Sequence, residues 1–176
     1  MTNATSAHYD RTTIALHWLT AASVALLWII GQTADWAPRG PLRTGYWSIH
    51  VVLGFALAIA LVARILWRGL RGRRLPAADR GLLHFMAEAM HYALYGVLTV
   101  TIGLGVVNAF LRGYDLFDLV HLPQIGDPAM RRPITHWHGL AANVLIVLAL
   151  LHATAALAHY YARRDGVLQR MLPGLR

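Results

Sequence analysis

The chain has no cysteine, no lysine and a single glutamate in 176 residues. Without cysteine it has no disulfides, no thiolate-held zinc, no iron–sulfur cluster and no covalently attached haem, which requires a Cys-x-x-Cys-His segment. Without lysine, all 16 basic side chains are arginine. Charged residues are only 14% of the chain and hydrophobic ones 57%, with a mean hydropathy of +0.46. That composition belongs to a membrane protein. The formal charge of +8 does not point to nucleic acid, because the arginines flank apolar runs instead of striping a soluble face.

Four apolar segments predict an all-α membrane protein, a four-helix transmembrane bundle forming one domain over residues 1–176. The segments run from about Ile14 to Thr33, Trp47 to Leu70, Leu82 to Leu111 (with the bilayer part from near Met90) and Thr135 to Tyr161. The first is too long for a signal peptide, and Gln32-Thr33-Ala34-Asp35 is a poor cleavage site, so it reads as a retained helix. Arg11, Arg68, Arg71, Arg73, Arg74, Arg80, Arg163, Arg164, Arg170 and Arg176 fall at one end of such a bundle. Arg39, Arg43, Arg112, Arg131 and Arg132 fall at the other, among Asp35, Asp115, Asp118 and Asp127. The positive-inside rule then places both termini in the cytoplasm.

This topology gives each histidine a depth. His138 and His152 are 14 residues apart on one helix, nearly four turns, so both project from one stripe about 21 Å apart along the axis. Imidazoles inside a bilayer are costly unless they bind something. Matching by depth pairs His50 with His138 on the periplasmic side and His17 with His152 on the cytoplasmic side. The expectation is two non-covalent haem b groups, each between two histidines, with no open iron position and hence suited to electron transfer. The plain alternative is interfacial anchoring beside Trp18, Trp47 and Trp137, with His152 as a helix–helix hydrogen bond.

Further residues join this reading. Arg64 follows His50 by 14 positions and is either a haem-propionate partner or a snorkelling side chain. His91 is a reserve ligand or propionate partner. His159 is a candidate proton relay to a quinone, or an interfacial residue. Gly54, Gly103 and Gly105 would open space for a flat macrocycle or simply serve helix packing. Arg131 and Arg132, with Arg39 and Arg43, would steer a small anion or anchor to lipid headgroups. His84, His136, His121 and His8 read as surface residues.

Ile14-Ala15-Leu16-His17-Trp18, Ile49-His50-Val51-Val52-Leu53-Gly54, Val62-Ala63-Arg64, Ile102-Gly103-Leu104-Gly105, Trp137-His138, Leu151-His152-Ala153 and Ala156-Leu157-Ala158-His159-Tyr160 together carry a resemblance. The chain resembles the bacterial cytochrome b561 family of small dihaem proteins, weakest from Arg112 to Arg131. The family's ligand pattern falls on His17, His50, His138 and His152. The resemblance implies an inner-membrane enzyme that oxidises periplasmic superoxide to oxygen and reduces ubiquinone. Two rivals stand beside it. One is the haem b anchor subunit of a larger dehydrogenase or hydrogenase; short loops and tails argue against an obligatory protein partner. The other is a metal or proton transporter, for which Glu88 is the one intramembrane carboxylate available.

Overall fold

The structure, a computed structural model, describes residues 8–174; Arg176, counted above among the end arginines, lies outside the described residues. Four helices, α1 (Arg11–Thr33), α2 (Pro41–Leu70), α3 (Leu82–Arg112) and α4 (Arg131–Ala158), follow one another up and down. They hold 23, 30, 31 and 28 residues, about 34–47 Å at 1.5 Å per residue, enough to cross a hydrocarbon core of about 30 Å. All four are apolar enough to do so. The chain is a four-helix bundle of transmembrane type.

Local chemistry sets the helix ends. Asp10 caps α1, its carboxylate accepting from the Thr13 N–H at 2.8 Å and the Thr13 hydroxyl at 2.7 Å. α2 begins at Pro41, six residues before the expected Trp47, because proline at the first helical position lacks only an N–H that would be unpaired anyway. α3 stops at Gly113, which takes the left-handed conformation (φ 61°) and returns its N–H to Ala109. α4 likewise starts earlier than expected, at Arg131 instead of Thr135. A 3-10 turn over Pro128–Met130, capped by Asp127, leads into it. Pro133 falls within its first turn, where proline is tolerated. After Ala158 the helix loosens into a π turn, His159–Arg163, and Arg164 (φ 53°) reverses the chain.

One departure from an all-helical chain occurs in the third connection. Asp115–Leu116 and Val120–His121 form a two-residue antiparallel ladder. Buried Ser48 of α2 ties it down, its hydroxyl donating to the Asp115 carbonyl at 3.2 Å and accepting from the Phe117 N–H at 3.1 Å. His121 pairs with the Asp115 carboxylate across the ladder. That hydrogen bond and the Asp115 charge raise the His121 pKa.

α1 packs closely along α2, and α3 along α4; contact between these two hairpins is sparser and leaves a slot between them. The core is an apolar layer of Leu27, Leu57, Leu61, Leu98 and Leu145. Leu145 lies midway in sequence between His138 and His152, so the layer separates two histidine levels. Large apolar side chains such as Leu26, Ile29, Ile59, Leu66, Val147 and Leu150 are exposed around the outside, as a lipid-facing surface requires.

The C-terminal tail is not loose. It folds back over the arginine-rich end: the Tyr9 N–H donates to Arg170 O, His8 Nδ1 to Gln169 O and Trp18 Nε1 to Met171 O. Arg170 Nη1 donates to Pro76 O at 2.7 Å. Asp10 is the hub of this end, accepting also from Trp67 Nε1 of α2 at 2.9 Å and the Arg73 N–H at 3.0 Å. Burial pushes its carboxyl up, but the hydrogen bonds from Thr13, Arg73 and Trp67 outweigh that and hold it well below the usual carboxylate range. These donors favour the charged form, so their contribution is present above the unfolded pKa of about 3.9 and is lost as pH falls toward the lowered folded value. Asp10→Ala is therefore expected to cost about 1–2 kcal/mol at neutral pH. Thermal melts in detergent should show a lower Tm, and the gap to wild type should close in acid below about pH 4. A gap that ignores pH would contradict the assignment.

Candidate metal centres

The slot between the hairpins brings histidines together in two pairs. His50 of α2 faces His138 of α4 with ring centres 6.1 Å apart and planes at 82°. His17 of α1 faces His152 of α4 at 6.4 Å and 69°. An imidazole nitrogen stands about 2.0–2.1 Å from a metal it binds, and about 1.2 Å from its own ring centre. Two rings on opposite sides of one metal thus have centres about 6.4 Å apart. Both pairs fit that spacing. His91 lies 5.2 Å from His152, too close to oppose it across a metal, and its Nδ1 donates to the Ala87 carbonyl at 2.7 Å. Among the described residues no three of His, Cys, Asp and Glu converge on a metal-sized point. Two imidazoles at this spacing could hold a metal whose remaining ligands come from elsewhere, as those of a porphyrin would.

The His50/His138 level opens into a cavity of about 400 Å³ walled by all four helices, within the range of sites that hold small molecules, roughly 300–1,000 Å³. His138 Nδ1 donates to the Thr101 carbonyl of α3 at 2.9 Å. This sets the neutral tautomer and leaves the Nε2 lone pair free, the arrangement that orients a metal-binding histidine. Gly105 permits that ring position, since a Cβ there would meet His138 Cε1 at 3.0 Å. Gly31 does the same for His50, whose Cε1 a Cβ would meet at 3.4 Å. The Leu27 carbonyl lies toward the His50 ring, yet Nδ1 is buried without a hydrogen bond of good geometry. Gly54 lines the cavity, whereas Gly103 is not part of its lining and opens outward with nothing near a Cβ. The expected space-making role therefore passes from Gly103 to Gly31.

At the other level Arg64 turns inward. Its Nε donates to the Tyr95 hydroxyl at 2.8 Å and its Nη2 to His17 Nδ1 at 2.9 Å. The guanidinium also lies over the Tyr95 ring, 5.4 Å from its centre. In this arrangement the side chain points into the bundle and not along the helix toward the headgroups, with Nε and Nη2 engaged there. A His17 ring that accepts at Nδ1 carries its proton on Nε2. Presenting the Nε2 lone pair to a metal requires Arg64 to release Nδ1.

His159, on the π turn, faces carboxylates. Its Nδ1 contacts Asp165 Oδ2 at 2.5 Å and its Nε2 lies 3.7 Å from Asp79 Oδ2, while Arg163 bridges Asp79 at 2.8 Å. Burial raises the Asp165 carboxyl, but its hydrogen bonds from His159 and the Val167 N–H hold it below its usual value. At the opposite end Arg131 is committed to structure, its Nε donating to Leu111 O at 2.9 Å, and Arg43 holds the Ala37 and Asp35 carbonyls. Arg132 is exposed. His84 and Glu88 form an exposed i,i+4 pair at 3.6 Å.

Thr101, Tyr95, Gly31, Asp79 and Asp165 escape the sequence reading. Only Asp165 has a local signal, six positions after His159; the others meet partners far away in sequence.

The family model described as prokaryotic cytochrome b561 matches residues 8–174. The chain is 28% identical over 171 residues to the probable superoxide oxidase CybB of Yersinia pestis, covering 94% of this chain and 96% of that protein. It is 28% identical over 175 residues to cytochrome b562 of Cereibacter sphaeroides, covering 93% and 94%. It is also 28% identical over 181 residues to cytochrome b561 homolog 2 of Escherichia coli K12, covering 96% and 93%.

Proposed function

The chain belongs to the prokaryotic cytochrome b561 family, and from that premise we propose that it oxidises superoxide to oxygen on the periplasmic side and reduces ubiquinone in the bacterial inner membrane. Membership makes it a haem-b-binding membrane protein of electron transfer. The finer reading is that it holds two haem b groups, one by His50 and His138 and one by His17 and His152. The observation that carries this is the spacing of the two pairs, 6.1 and 6.4 Å, at two levels of one membrane-spanning bundle. The name of the Yersinia pestis relative supports superoxide as the donor. By the positive-inside rule the arginine-rich end, with both termini, faces the cytoplasm.

When bound, haem held by these histidines would supply reversible one-electron chemistry. The protein's own residues do the rest. Thr101 fixes the tautomer and orientation of His138. Gly31 and Gly105 let the rings approach. The leucine layer keeps water out from between the two levels. Arg64, still held by Tyr95 after releasing His17, is left with donors for a haem propionate. Two superoxide anions each give up one electron and leave as oxygen; ubiquinone takes those two electrons and two protons to become ubiquinol. The electron-donating step needs no general base, because no bond to hydrogen breaks. The two protons enter at the cytoplasmic end, where His159 lies against Asp79 and Asp165.

Protein purified in mild detergent is expected to carry two low-spin b haems per chain. It should consume superoxide only when ubiquinone is present as acceptor. A colourless protein would overturn the ligand set. Two haems without superoxide-dependent ubiquinol formation would leave a cytochrome with a different donor.

A further inference from the structure

The cavity beside His50 and His138 contains a cation that neither the helix pattern nor the ligand pairs account for. Arg112, the last residue of α3, lines it. Its Nε donates to Asn108 Oδ1 at 3.2 Å and its Nη2 to Thr135 Oγ1 at 2.8 Å. Both acceptors are neutral, and among the described residues no carboxylate stands within ion-pair distance of it. They are also locked in place: the Thr135 hydroxyl lies 2.7 Å from the Arg131 carbonyl and 3.0 Å from Asn108 Oδ1. Thr135 precedes His138 by one helical turn on the same face of α4, so the guanidinium sits about 5 Å beyond the His138 level, toward the mouth. Asp35, the carboxylate that lines the cavity, accepts from Trp47 Nε1 at 3.4 Å.

Neither Arg39 nor Arg132 lines the cavity. Arg131 and Arg43 hold backbone carbonyls, and neither lines the cavity. An exposed guanidinium held in a fixed direction by neutral partners at the cavity, with no carboxylate in ion-pair contact among the described residues, can receive an anion.

We propose that Arg112, oriented by Asn108 and Thr135, is the anion anchor of this cavity, receiving a carboxylate or a small monoanion. The inference rests on the haem reading of the His50/His138 pair. Its chemistry has two sources: a propionate arm of the group bound there, or superoxide arriving from solution.

The test is Arg112→Gln beside Arg112→Lys in the haem-loaded protein, read by haem content, by redox titration resolving the two centres, and by superoxide kinetics against ionic strength. Two haems in wild type secure the underlying reading independently of either variant. If Arg112 holds a propionate, Arg112→Gln loses the His50/His138 haem during purification or lowers the midpoint potential of that centre alone, and lysine restores part of it. If it receives superoxide, haem content and both potentials stay put. The superoxide rate then falls about tenfold at low salt and loses its salt dependence, while quinone reduction by a chemical donor is unchanged. Wild-type haem content, potentials and superoxide kinetics in Arg112→Gln would overturn the proposal.

Discussion

Replacing His138 by alanine is expected to halve the haem bound per chain, and His50→Ala should lose the same haem. Each haem in the proposed arrangement hangs between two imidazoles from different helices, so removing either leaves one protein bond. His50 and His138 lie on different helices with ring centres 6.1 Å apart. His91, the nearest spare imidazole, stands beside His152 at the other level. His17→Ala and His152→Ala should spare this haem and lose the other. The measurement is the ratio of haem to protein together with the reduced-minus-oxidised spectrum of what remains. Residual spectra that differ between His50→Ala and His138→Ala would break the pairing. Four variants that each retain both haems would break the ligand assignment altogether.

The second large effect falls on a residue with no chemistry of its own. Gly105→Val is expected to remove the same haem as His138→Ala while leaving the helices intact. A bare Cβ at Gly105 would lie 3.0 Å from His138 Cε1 and 3.3 Å from Nδ1, and valine adds two methyl groups in that space. The ring can yield only by giving up its 2.9 Å bond to the Thr101 carbonyl, which is the bond that aims Nε2. Overpacking of this kind costs about 1–3 kcal/mol, modest for the bundle but enough to misplace the ligand. Gly103→Val is the control: it lies two residues away on the same helix, yet nothing stands within 4 Å of its Cβ position. Circular dichroism should show both variants helical. Both haems retained in Gly105→Val, or lost in Gly103→Val, would refute the argument.

Most of the architecture is legible in the sequence, for physical reasons. A backbone in hydrocarbon must satisfy its own hydrogen bonds, so four long apolar runs with no cysteine become four helices. The helix ends were less legible. Pro41 and Asp127 act as local start signals, but the apolar pattern begins only residues later, and a period-based reading starts where hydrophobicity does. The β ladder at Asp115–His121 was invisible because it depends on Ser48, which arrives from another helix.

The same division runs through the site. Helical periodicity alone aligns His138 with His152, and charge asymmetry at the two ends assigns each histidine a depth, so the four partners can be matched from one dimension. Which groups hold those rings is a cross-helix question. Thr101, Tyr95, Gly31 and Arg112 meet His138, Arg64, His50 and the cavity only because of how the hairpins are rotated about their axes. Rotation is set by side-chain packing between helices, and that leaves no period in a single chain. The number of spans, the histidine levels and the arginine-rich end follow from each helix read on its own. What the tertiary structure adds at the second level is spacing: the ring of His152 stands 6.4 Å from that of His17 and 5.2 Å from that of His91, distances that depend on how the helices pack and leave no trace in any one of them.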